Sequence, residues 1–379
     1  MAEMATTGLA SLLAGFAAFS WKNGAMMGVG FLLIWLAIKK GFEPLLLVPI
    51  GFGAILVNIP LSGLMEKGGL LNYFYEGGIL TEMFPSLIFI GIGAMADFGP
   101  LLENPRLLLL GAAGQFGIFL TVILALLLGF TKLEAASVGI IGAMDGPTAI
   151  YVTSQYAPHL LGAVSVAAYS YISIVPIALV PLMRVLTTQR ERNIIMGTVK
   201  KTVSPGVRLL FPIMVTLITG LIAPLGLPLM GMLMLGNFLR ECGVTERLTR
   251  ASENEIANVV TLLLGISIGA TMSGESFLRY QTLLIFALGF VAMIVDITAG
   301  LSLGKLMSLF TAGRVNPLIG AAGISAFPMA ARVVQMEGQK ANPKSYLLMH
   351  AVGANAGGQI GSVMAAAVML SVLKGMGIA

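Results

Sequence analysis

Charged side chains are scarce in this sequence. Asp, Glu, Lys and Arg together make up 10% of the 379 residues, against about 25% in ordinary soluble domains. A soluble protein of this length needs a charged surface around its core, so the composition excludes that class. Apolar residues supply 57% of the chain, the mean hydropathy is +0.94, and apolar stretches long enough to span a bilayer recur throughout. The sequence therefore predicts an all-α integral membrane protein embedded in the lipid bilayer.

Cysteine and histidine are also rare, which excludes several kinds of site. The one cysteine, Cys242, cannot form an internal disulfide or a multi-cysteine metal site. The two histidines, His159 and His350, disfavour a histidine-ligated transition metal. The sequence has no Walker motif, so ATP is not expected as the energy source. The net charge of +5 is typical of Lys and Arg residues that fix membrane orientation rather than of nucleic-acid binding.

The apolar stretches predict about eleven transmembrane segments. Residues 1–40 are expected to hold an amphipathic or interfacial start, without the basic region of a cleaved signal peptide, followed by the first transmembrane helix. The stretch 228–250 begins apolar but ends in a charged loop, so it is not counted as a crossing. The predicted segments lie near 24–38, 44–60, 84–97, 107–129, 135–153, 160–186, 206–224, 257–275, 281–304, 315–334 and 345–373.

Short motifs recur in the same order in the two halves of the chain. Ile92-Gly93-Ala94 is echoed by Ile268-Gly269-Ala270, and Ile141-Gly142-Ala143 by Ile319-Gly320-Ala321. Each match is weak alone, but their shared order and spacing indicate an internal repeat. If each repeat holds an odd number of crossings, about five, the two must be inverted relative to each other. Inverted repeats with broken helices at the centre are a recurrent architecture of ion-coupled transporters.

The repeats divide the chain into a first membrane unit at 41–186, a basic connector at 187–204 and a second membrane unit at 205–379. Between residues 184 and 208 six cations stand against one acid, which favours the cytoplasmic side. If five crossings separate Lys39-Lys40 from the connector, these two lysines lie on the non-cytoplasmic side. That position conflicts with the preference of Lys and Arg for cytoplasmic loops. The connector has the denser positive charge, so it decides the prediction, which places the C-terminus outside the cytoplasm.

Two apolar segments at corresponding places in the halves contain helix breakers. Residues 142–148 read Gly-Ala-Met-Asp-Gly-Pro-Thr, and residues 320–328 read Gly-Ala-Ala-Gly-Ile-Ser-Ala-Phe-Pro. Non-helical backbone inside a bilayer is tolerated where it is buried in protein or lines a wet cavity. Freed carbonyls and half-helix ends can there replace the water around a sodium ion. A pair of proline kinks is the simpler alternative, but it does not account for the polar groups that both segments carry.

Placing an ionisable side chain inside a membrane span costs about 3 kcal/mol, so each such residue requires a structural or functional explanation. Asp145 lies between helix breakers, and its carboxylate with the nearby Thr148 hydroxyl suits a hard cation such as Na⁺; the alternative is an ion pair with a buried arginine. Arg332 follows the second break and suits an anion, unless it is a helix-end arginine that reaches the interface. Asp97 is expected to end a helix at the surface, and the role of Asp296 stays open, with a structural pair as the default.

Four further polar residues belong to the same segments. Tyr171 lies in the last span of the first half, where a phenol held near an anion can donate a proton, although most buried tyrosines are packed, hydrogen-bonded rings. Asn355 lies in the matching span of the second half, among glycines and a second amide that indicate close packing and oxygen ligands. Ser325 and Asn316 flank the second break, and a serine in a span commonly bonds only to its own backbone.

Three long motifs resemble those of a known family, the beta subunits of sodium-pumping, biotin-dependent decarboxylases. They lie at residues 91–106, 137–151 and 316–332, and the similarity covers nearly the whole chain from about residue 24. In that family a biotin on a partner subunit is carboxylated and swings to the membrane subunit. There carboxybiotin is decarboxylated with consumption of a proton, and Na⁺ is moved outward across the bacterial cytoplasmic (inner) membrane.

The resemblance implies roles for the residues singled out above. Asp145 would bind Na⁺ and couple its movement to decarboxylation. Tyr171 and Ser325 would take part in ion binding and in proton delivery to the biotin ring, which Tyr171 would also help to bind. Asn316 and Asn355 would shape the ion sites, and Arg332 would orient carboxybiotin.

The resemblance also implies partners. It implies a carboxyltransferase subunit that selects the substrate, a biotin carrier protein or domain, a small subunit with a single membrane helix, and a homotrimer of this chain. No covalent biotin is expected on the chain itself, and its short length favours an acyl-CoA system over an oxaloacetate system. The alternative function is a secondary Na⁺-coupled anion symporter, in which Arg332 binds the substrate and no chemistry occurs. A biotinylated carrier protein has no role in a symporter, so copurifying subunits discriminate the two.

Overall fold

The computed structural model describes residues 13–197, 203–311 and 313–378, and the regular structure in these ranges is helical. The predicted amphipathic start lies largely outside the described residues, apart from a helical stretch at 13–17. The helices are α1 Trp21–Lys40, α2 Pro44–Val57, α3 Leu70–Phe74, α4 Met83–Met95, α5 Gly99–Glu103, α6 Leu107–Ala113, α7 Phe116–Leu127, α8 Lys132–Gly139, α9 Gly146–Tyr156, α10 Leu161–Leu186, α11 Gln189–Arg192, α12 Pro205–Ile222, α13 Leu227–Glu241, α14 Glu246–Ala251, α15 Ala257–Ala270, α16 Gly274–Phe277, α17 Tyr280–Phe310, α18 Met329–Ala341 and α19 Leu348–Gly375.

Six helical stretches in the described residues are long and apolar enough to cross a membrane. They are α1, α6 with α7, α10 with the turn before it, α12, α17 and α19. A seventh is possible if residues 70–80 and α4, which meet at 60°, form one bent span. The prediction of an all-α membrane protein is confirmed, whereas the count of about eleven segments is not. The remaining apolar segments form shorter helices, because glycine, proline and polar residues interrupt them.

The first predicted break forms a hairpin instead of a crossing. α8 ends in a short 3₁₀ turn at Ile140–Ala143, Met144 takes a left-handed conformation with φ 53°, and α9 then begins. The two ends of the hairpin lie together, because His159 Nε2 is 2.9 Å from Glu134 Oε1. The chain therefore returns to the level from which it entered, which differs from the crossing predicted at 135–153.

The second break forms a matching hairpin that begins and ends on the connector. The 3₁₀ turn Pro317–Gly323 leads inward, and α18 leads back. Asn316, before the turn, donates to the carbonyls of Arg192 and Ile194 over 3.0 and 2.9 Å. Asn342, after α18, donates to the carbonyl of Asn193 over 3.2 Å. The first hairpin starts beside the N-terminal end of α10 and the second beside its C-terminal end, so the two enter the bundle from opposite ends.

These contacts also place Lys39 and Lys40. Lys22, at the start of α1, packs against Gly274, while Gly162, at the start of α10, packs against Thr271. The starts of α1 and α10 therefore lie at one end of the bundle, and their C-terminal ends, with Lys39-Lys40 and the connector, lie at the other. Lys39-Lys40 and the connector therefore lie on the same side and not on opposite sides as predicted, because the first hairpin does not cross the membrane.

Glycines let helices of the two halves approach closely. Gly53 of α2 and Gly269 of α15 face each other, so that a Cβ on either would overlap backbone atoms of the other helix. Gly93 of α4 and Gly236 of α13 make the same kind of contact. Small residues at such crossings are typical of helix packing in membranes, where van der Waals contact replaces the hydrophobic effect. The helices of the first half are thus packed directly against those of the second.

Candidate functional site

Asp145 stands at the tip of the first hairpin, as the N-cap residue of α9. Its side chain is 4% exposed. Its Oδ1 accepts the backbone N–H of Thr148 at 3.4 Å, and its Oδ2 accepts the Thr148 hydroxyl at 2.8 Å. Two residues of α19 also donate to Oδ2, Gln359 through Nε2 at 2.8 Å and Ser362 through Oγ at 3.0 Å. A carboxylate with this many donors has a fixed orientation inside the bundle.

A cavity of about 580 Å³ opens in front of this carboxylate. It brings the two hairpins together, since Asp145 of the first faces it along with Ser325 and Arg332 of the second. Apolar side chains, including Met144, Ile88 and Phe327, supply much of the remaining wall. A mostly apolar cavity with a few convergent polar groups is the usual form of a small-molecule site.

Arg332 lies in the first turn of α18 and lines the cavity. Within the described part of the chain, neither Arg332 nor Asp145 takes part in an ion pair. The alternative in which Asp145 pairs with a buried arginine therefore finds no support in this geometry. The cavity is instead lined by the fixed cation of Arg332 and by two carboxyl groups, Asp145 and Glu43, which suits the simultaneous binding of an anion and a cation.

Ser325 is held beside α19 and the break between α6 and α7. Its hydroxyl donates to the Gly358 carbonyl at 2.8 Å, and Gln115 Nε2 lies 3.4 Å from Ser325 Oγ. Asn355 donates to the Ile324 carbonyl at 2.6 Å. The Gln115 Oε1 and Asn355 Oδ1 atoms are buried and have no partner among the residues described. Two free amide oxygens beside the second break are suited to a hard cation.

Four of the predicted site residues do not line the cavity. Thr148 bonds to Asp145 and Asn355 to the Ile324 carbonyl, whereas Tyr171 and Asn316 are held elsewhere. The Tyr171 hydroxyl donates to the Phe286 carbonyl of α17, and Tyr169 lines the cavity instead. Tyr169 is buried and its hydroxyl lacks a partner within the described ranges. The Asn316 side chain is fully used, because its amide nitrogen bonds to the connector and its oxygen accepts the N–H of Leu318 at 3.0 Å.

The two remaining aspartates differ in their surroundings. Asp97 accepts the N–H of Gly99 at 2.9 Å and lies 3.8 Å from Arg240 at the edge of the bundle, in agreement with its predicted position at a helix end. Asp296 is fully buried in α17 and accepts the N–H of Gly117. Its Oδ2 has no partner among the described residues, so the expected structural pair is made with backbone and not with a cation.

Sequence reasoning missed Ser362, Tyr169 and Gln115 as site residues, and noted Gln359 only as the second amide near Asn355. A signal for Gln359 was present, since it lies four residues after Asn355 and hence on the same helical face. Nothing local distinguishes the other three. The described residues hold no group of three or more His, Cys, Asp or Glu side chains that could bind a metal. The Asp145 carboxylate and the neutral oxygens around it suit a hard cation such as Na⁺.

Comparison with known proteins gives matches over nearly the whole chain. The sequence is similar to the glutaconyl-CoA decarboxylase subunit beta of Acidaminococcus fermentans, with 51% identity over 361 residues, covering 95% of this chain and 96% of the relative. It is similar to the methylmalonyl-CoA decarboxylase subunit beta of Veillonella parvula, with 51% identity over 360 residues and 95% of each chain covered. A probable oxaloacetate decarboxylase beta chain of Vibrio cholerae is 44% identical, covering 94% of this chain and 96% of the relative.

The profile of the family described as Na⁺-transporting oxaloacetate decarboxylase beta subunit matches residues 22–373. That match includes both hairpins, the cavity they enclose and the connector on which the second hairpin rests. The chain belongs to the beta-subunit family of the Na⁺-transporting decarboxylases.

Proposed function

We propose that this chain is the carboxybiotin-decarboxylating subunit of a primary sodium pump. It would use the loss of CO₂ from carboxybiotin to move Na⁺ outward across the bacterial cytoplasmic membrane. One observation carries the proposal: a single cavity is lined by Asp145 from the first hairpin and by Ser325 and Arg332 from the second. Family membership supports it, since relatives that are 51% identical are named as decarboxylase beta subunits.

Na⁺ binds at Asp145 in this proposal. The carboxylate supplies the negative charge, and the hydroxyl oxygens of Thr148 and Ser362, both within 3.0 Å of Oδ2, keep lone pairs free for the cation. Asp145 Oδ1 has only the distant N–H of Thr148 as a donor, which leaves it available to the ion. Ser325 and Asn355 offer further neutral oxygens beside the second break, and Asn316 shapes this region from outside by anchoring the hairpin.

Arg332 binds the carboxylate of carboxybiotin. The residues fit this group, because the guanidinium faces a cavity of about 580 Å³ whose apolar wall suits a ring and aliphatic chain. Carboxybiotin supplies the carboxylate that leaves as CO₂ and the ring nitrogen that takes up a proton. A planar guanidinium can hold a carboxylate through two parallel hydrogen bonds, which fixes its orientation.

A tyrosine hydroxyl delivers the proton. Tyr171 was singled out from the sequence, but its hydroxyl is engaged by the Phe286 carbonyl outside the cavity. Tyr169 lines the cavity beside Asp145, with its ring against Gly146. Its position favours Tyr169 as the donor to the ring nitrogen, and Tyr171 then acts by holding α10 against α17.

Coupling follows from the shared cavity. Two sites are coupled when both respond to the same change of conformation, and here both ligands contact hairpins that enter from opposite ends of the bundle. We interpret these hairpins as the centres of two inverted repeats, at 41–186 and 205–379, joined by the connector at 187–204. Moving one charge against 100 mV costs about 2.3 kcal/mol, so a decarboxylation that releases several kcal/mol can drive one or two ions.

The proposed function requires partners. A carboxyltransferase subunit and a biotin carrier must deliver carboxybiotin to the cytoplasmic face, where we place the connector and Lys39-Lys40. We further propose a small single-helix membrane subunit and a homotrimer of this chain. Named relatives act in both acyl-CoA and oxaloacetate systems. The identity of 48–51% to the acyl-CoA members, against 43–44% to the oxaloacetate members, favours an acyl-CoA substrate for the complex.

The test is decarboxylation of free carboxybiotin by the chain and its partners in proteoliposomes. We expect Na⁺ to stimulate the wild type and Asp145→Asn to lose this response, because the variant keeps the shape of the side chain but not its charge. Glu134→Gln, at the outer end of the same hairpin, is the control and should respond normally. If carboxybiotin is untouched while Na⁺ drives uptake of a small anion, the chain is a symporter and the proposal is wrong.

A further inference from the structure

A second cavity, of about 560 Å³, lies at the connector end of the bundle. It is separate from the cavity of the two hairpins, since none of its lining residues is shared. Its wall combines Arg106, Arg314 and His350 with Asn104, Gly197 and Phe310. Nothing in the proposed function uses these side chains.

The two arginines give this cavity surplus positive charge. Arg106 directly precedes α6, and Arg314 follows the C-terminal end of α17 by four residues, so each stands where a membrane-spanning stretch ends. Both side chains are exposed, and neither takes part in an ion pair within the described ranges. Glu103 acts electrostatically on His350 and offsets one positive charge, which leaves the charge of one guanidinium group uncompensated. Guanidinium groups bind phosphate through paired hydrogen bonds, so two of them beside one cavity suit a phosphate group.

His350 provides an independent indication of a ligand. The ring is 6% exposed, and its Nε2 lies 3.1 Å from the Gly197 carbonyl, which fixes Nε2 as the donor of this bond. Its Nδ1 is buried and has no partner in the part of the chain described. Because Nε2 carries the proton in this bond, Nδ1 of the neutral ring is an acceptor that lacks a donor.

The neighbouring surface identifies the kind of anion. Phe310, which lines the cavity, is 83% exposed, and Leu309 beside it is 78% exposed. Apolar side chains of this size next to cationic ones, at the end of a spanning helix, are suited to acyl chains below a charged headgroup. A free phosphate ion makes no favourable contact with this apolar surface.

We propose that this cavity binds the headgroup phosphate of an anionic phospholipid. The lipid bridges the start of α6, the end of α17 and the start of α19, and it lies against the connector at Gly197. Each cation near an anionic membrane surface contributes about 1 kcal/mol. Two arginines together then change lipid affinity by about 25-fold, the equivalent of about 2 kcal/mol.

The experiment measures the thermal stability of the full chain with its partners in mild detergent, titrated with phosphatidylglycerol or phosphatidylcholine. Phosphatidylglycerol should raise the melting temperature of the wild type well above the effect of phosphatidylcholine. The Arg106→Gln/Arg314→Gln variant should need about 25-fold more phosphatidylglycerol for the same shift. Arg190→Gln removes an exposed cation from the same end of the bundle, outside the cavity, and should behave as wild type.

Three outcomes overturn the proposal. These are equal stabilisation by the two lipids, an unchanged titration of the double variant, and an equal shift produced by millimolar inorganic phosphate, which would identify a site for the free ion. If the double variant does not fold, Arg314→Gln alone serves, with an expected loss of about fivefold. Carboxybiotin decarboxylation is measured in parallel, and the proposal stands or falls independently of that result.

Discussion

Gln359 donates a hydrogen bond to Asp145 over 2.8 Å, although the two residues are 214 positions apart in the sequence. The bond joins the tip of the first hairpin to α19 of the second half. It is accompanied by the bond from Ser362, one helical turn further along α19, to the same oxygen. The orientation of the Asp145 carboxylate is therefore set by both halves of the chain, and a movement of α19 changes the surroundings of the proposed sodium site directly.

Gln359→Leu should weaken Na⁺ binding. The variant shortens the side chain by one atom and removes a donor to the carboxylate, and hydrogen bonds to charged groups contribute about 1.5–3 kcal/mol. We expect the Na⁺ concentration for half-maximal decarboxylation to rise by about tenfold or more. Gln189→Leu, at an exposed position of α11, is the matched control. An unchanged Na⁺ response in Gln359→Leu would exclude a role for this bond in ion binding.

Tyr169→Phe and Tyr171→Phe form a second matched pair, since each removes one hydroxyl from α10. If Tyr169 donates the proton, its variant should decarboxylate carboxybiotin about 100-fold more slowly, in the range of general acid catalysis. Tyr171→Phe loses only a bond to the Phe286 carbonyl and should lower the melting temperature with a smaller effect on rate. The opposite ranking would restore Tyr171 as the donor, as the family resemblance implies.

The sequence identified some of the residues that line the cavity or bond to Asp145 but not others. Asp145, Ser325 and Arg332 could be identified because a polar residue beside a helix breaker is unusual in an apolar segment and indicates a functional role. Tyr169 and Ser362 could not, since a single tyrosine or serine in an apolar helix is ordinarily a packed residue. What distinguishes them is proximity to Asp145, and that proximity depends on how α10 and α19 pack against the first hairpin.

The fold class could be predicted from the sequence, but the number and positions of the membrane crossings could not. Hydropathy identifies apolar segments by composition and length, and residues 135–153 pass that test as well as any crossing. The turn at Met144 reverses the chain, and a reversal leaves hydropathy unchanged. This one hairpin also explains why Lys39-Lys40 was predicted at the wrong end of the bundle relative to the connector.

Glu337→Gln should reduce stability at neutral pH and remove part of its pH dependence. Burial raises the pKa of the Glu337 carboxyl, but the hydrogen bonds and charge of Arg184, together with Lys340, outweigh burial and hold the pKa below its ordinary value. A lowered pKa in the folded state stabilises the protein above the ordinary pKa of 4.5. This contribution is lost as the pH falls through the lower, folded value.

The measurement is thermal melting of wild type and variant between about pH 7 and pH 3. The difference in melting temperature between the two should be largest near neutral pH and should shrink below about pH 4.5. Glu246→Gln is the control, because its pair with Arg250 is exposed on both sides and such pairs contribute little. A difference that stays constant with pH would show that the Glu337 charge is not what stabilises α18.

Asn316→Ala separates an anchoring role from an ion-binding role. The variant leaves the carbonyls of Arg192 and Ile194 and the N–H of Leu318 without their partner, and the position is fully buried. We expect a loss of about 2–3 kcal/mol in the free energy of unfolding, seen as a lower melting temperature, with the Na⁺ concentration for half-maximal activity unchanged. Asn342→Ala, which removes one bond of the same kind, should cost less. A raised Na⁺ requirement at an unchanged melting temperature would instead make Asn316 an ion ligand, and the second hairpin would then have to release the connector when Na⁺ binds.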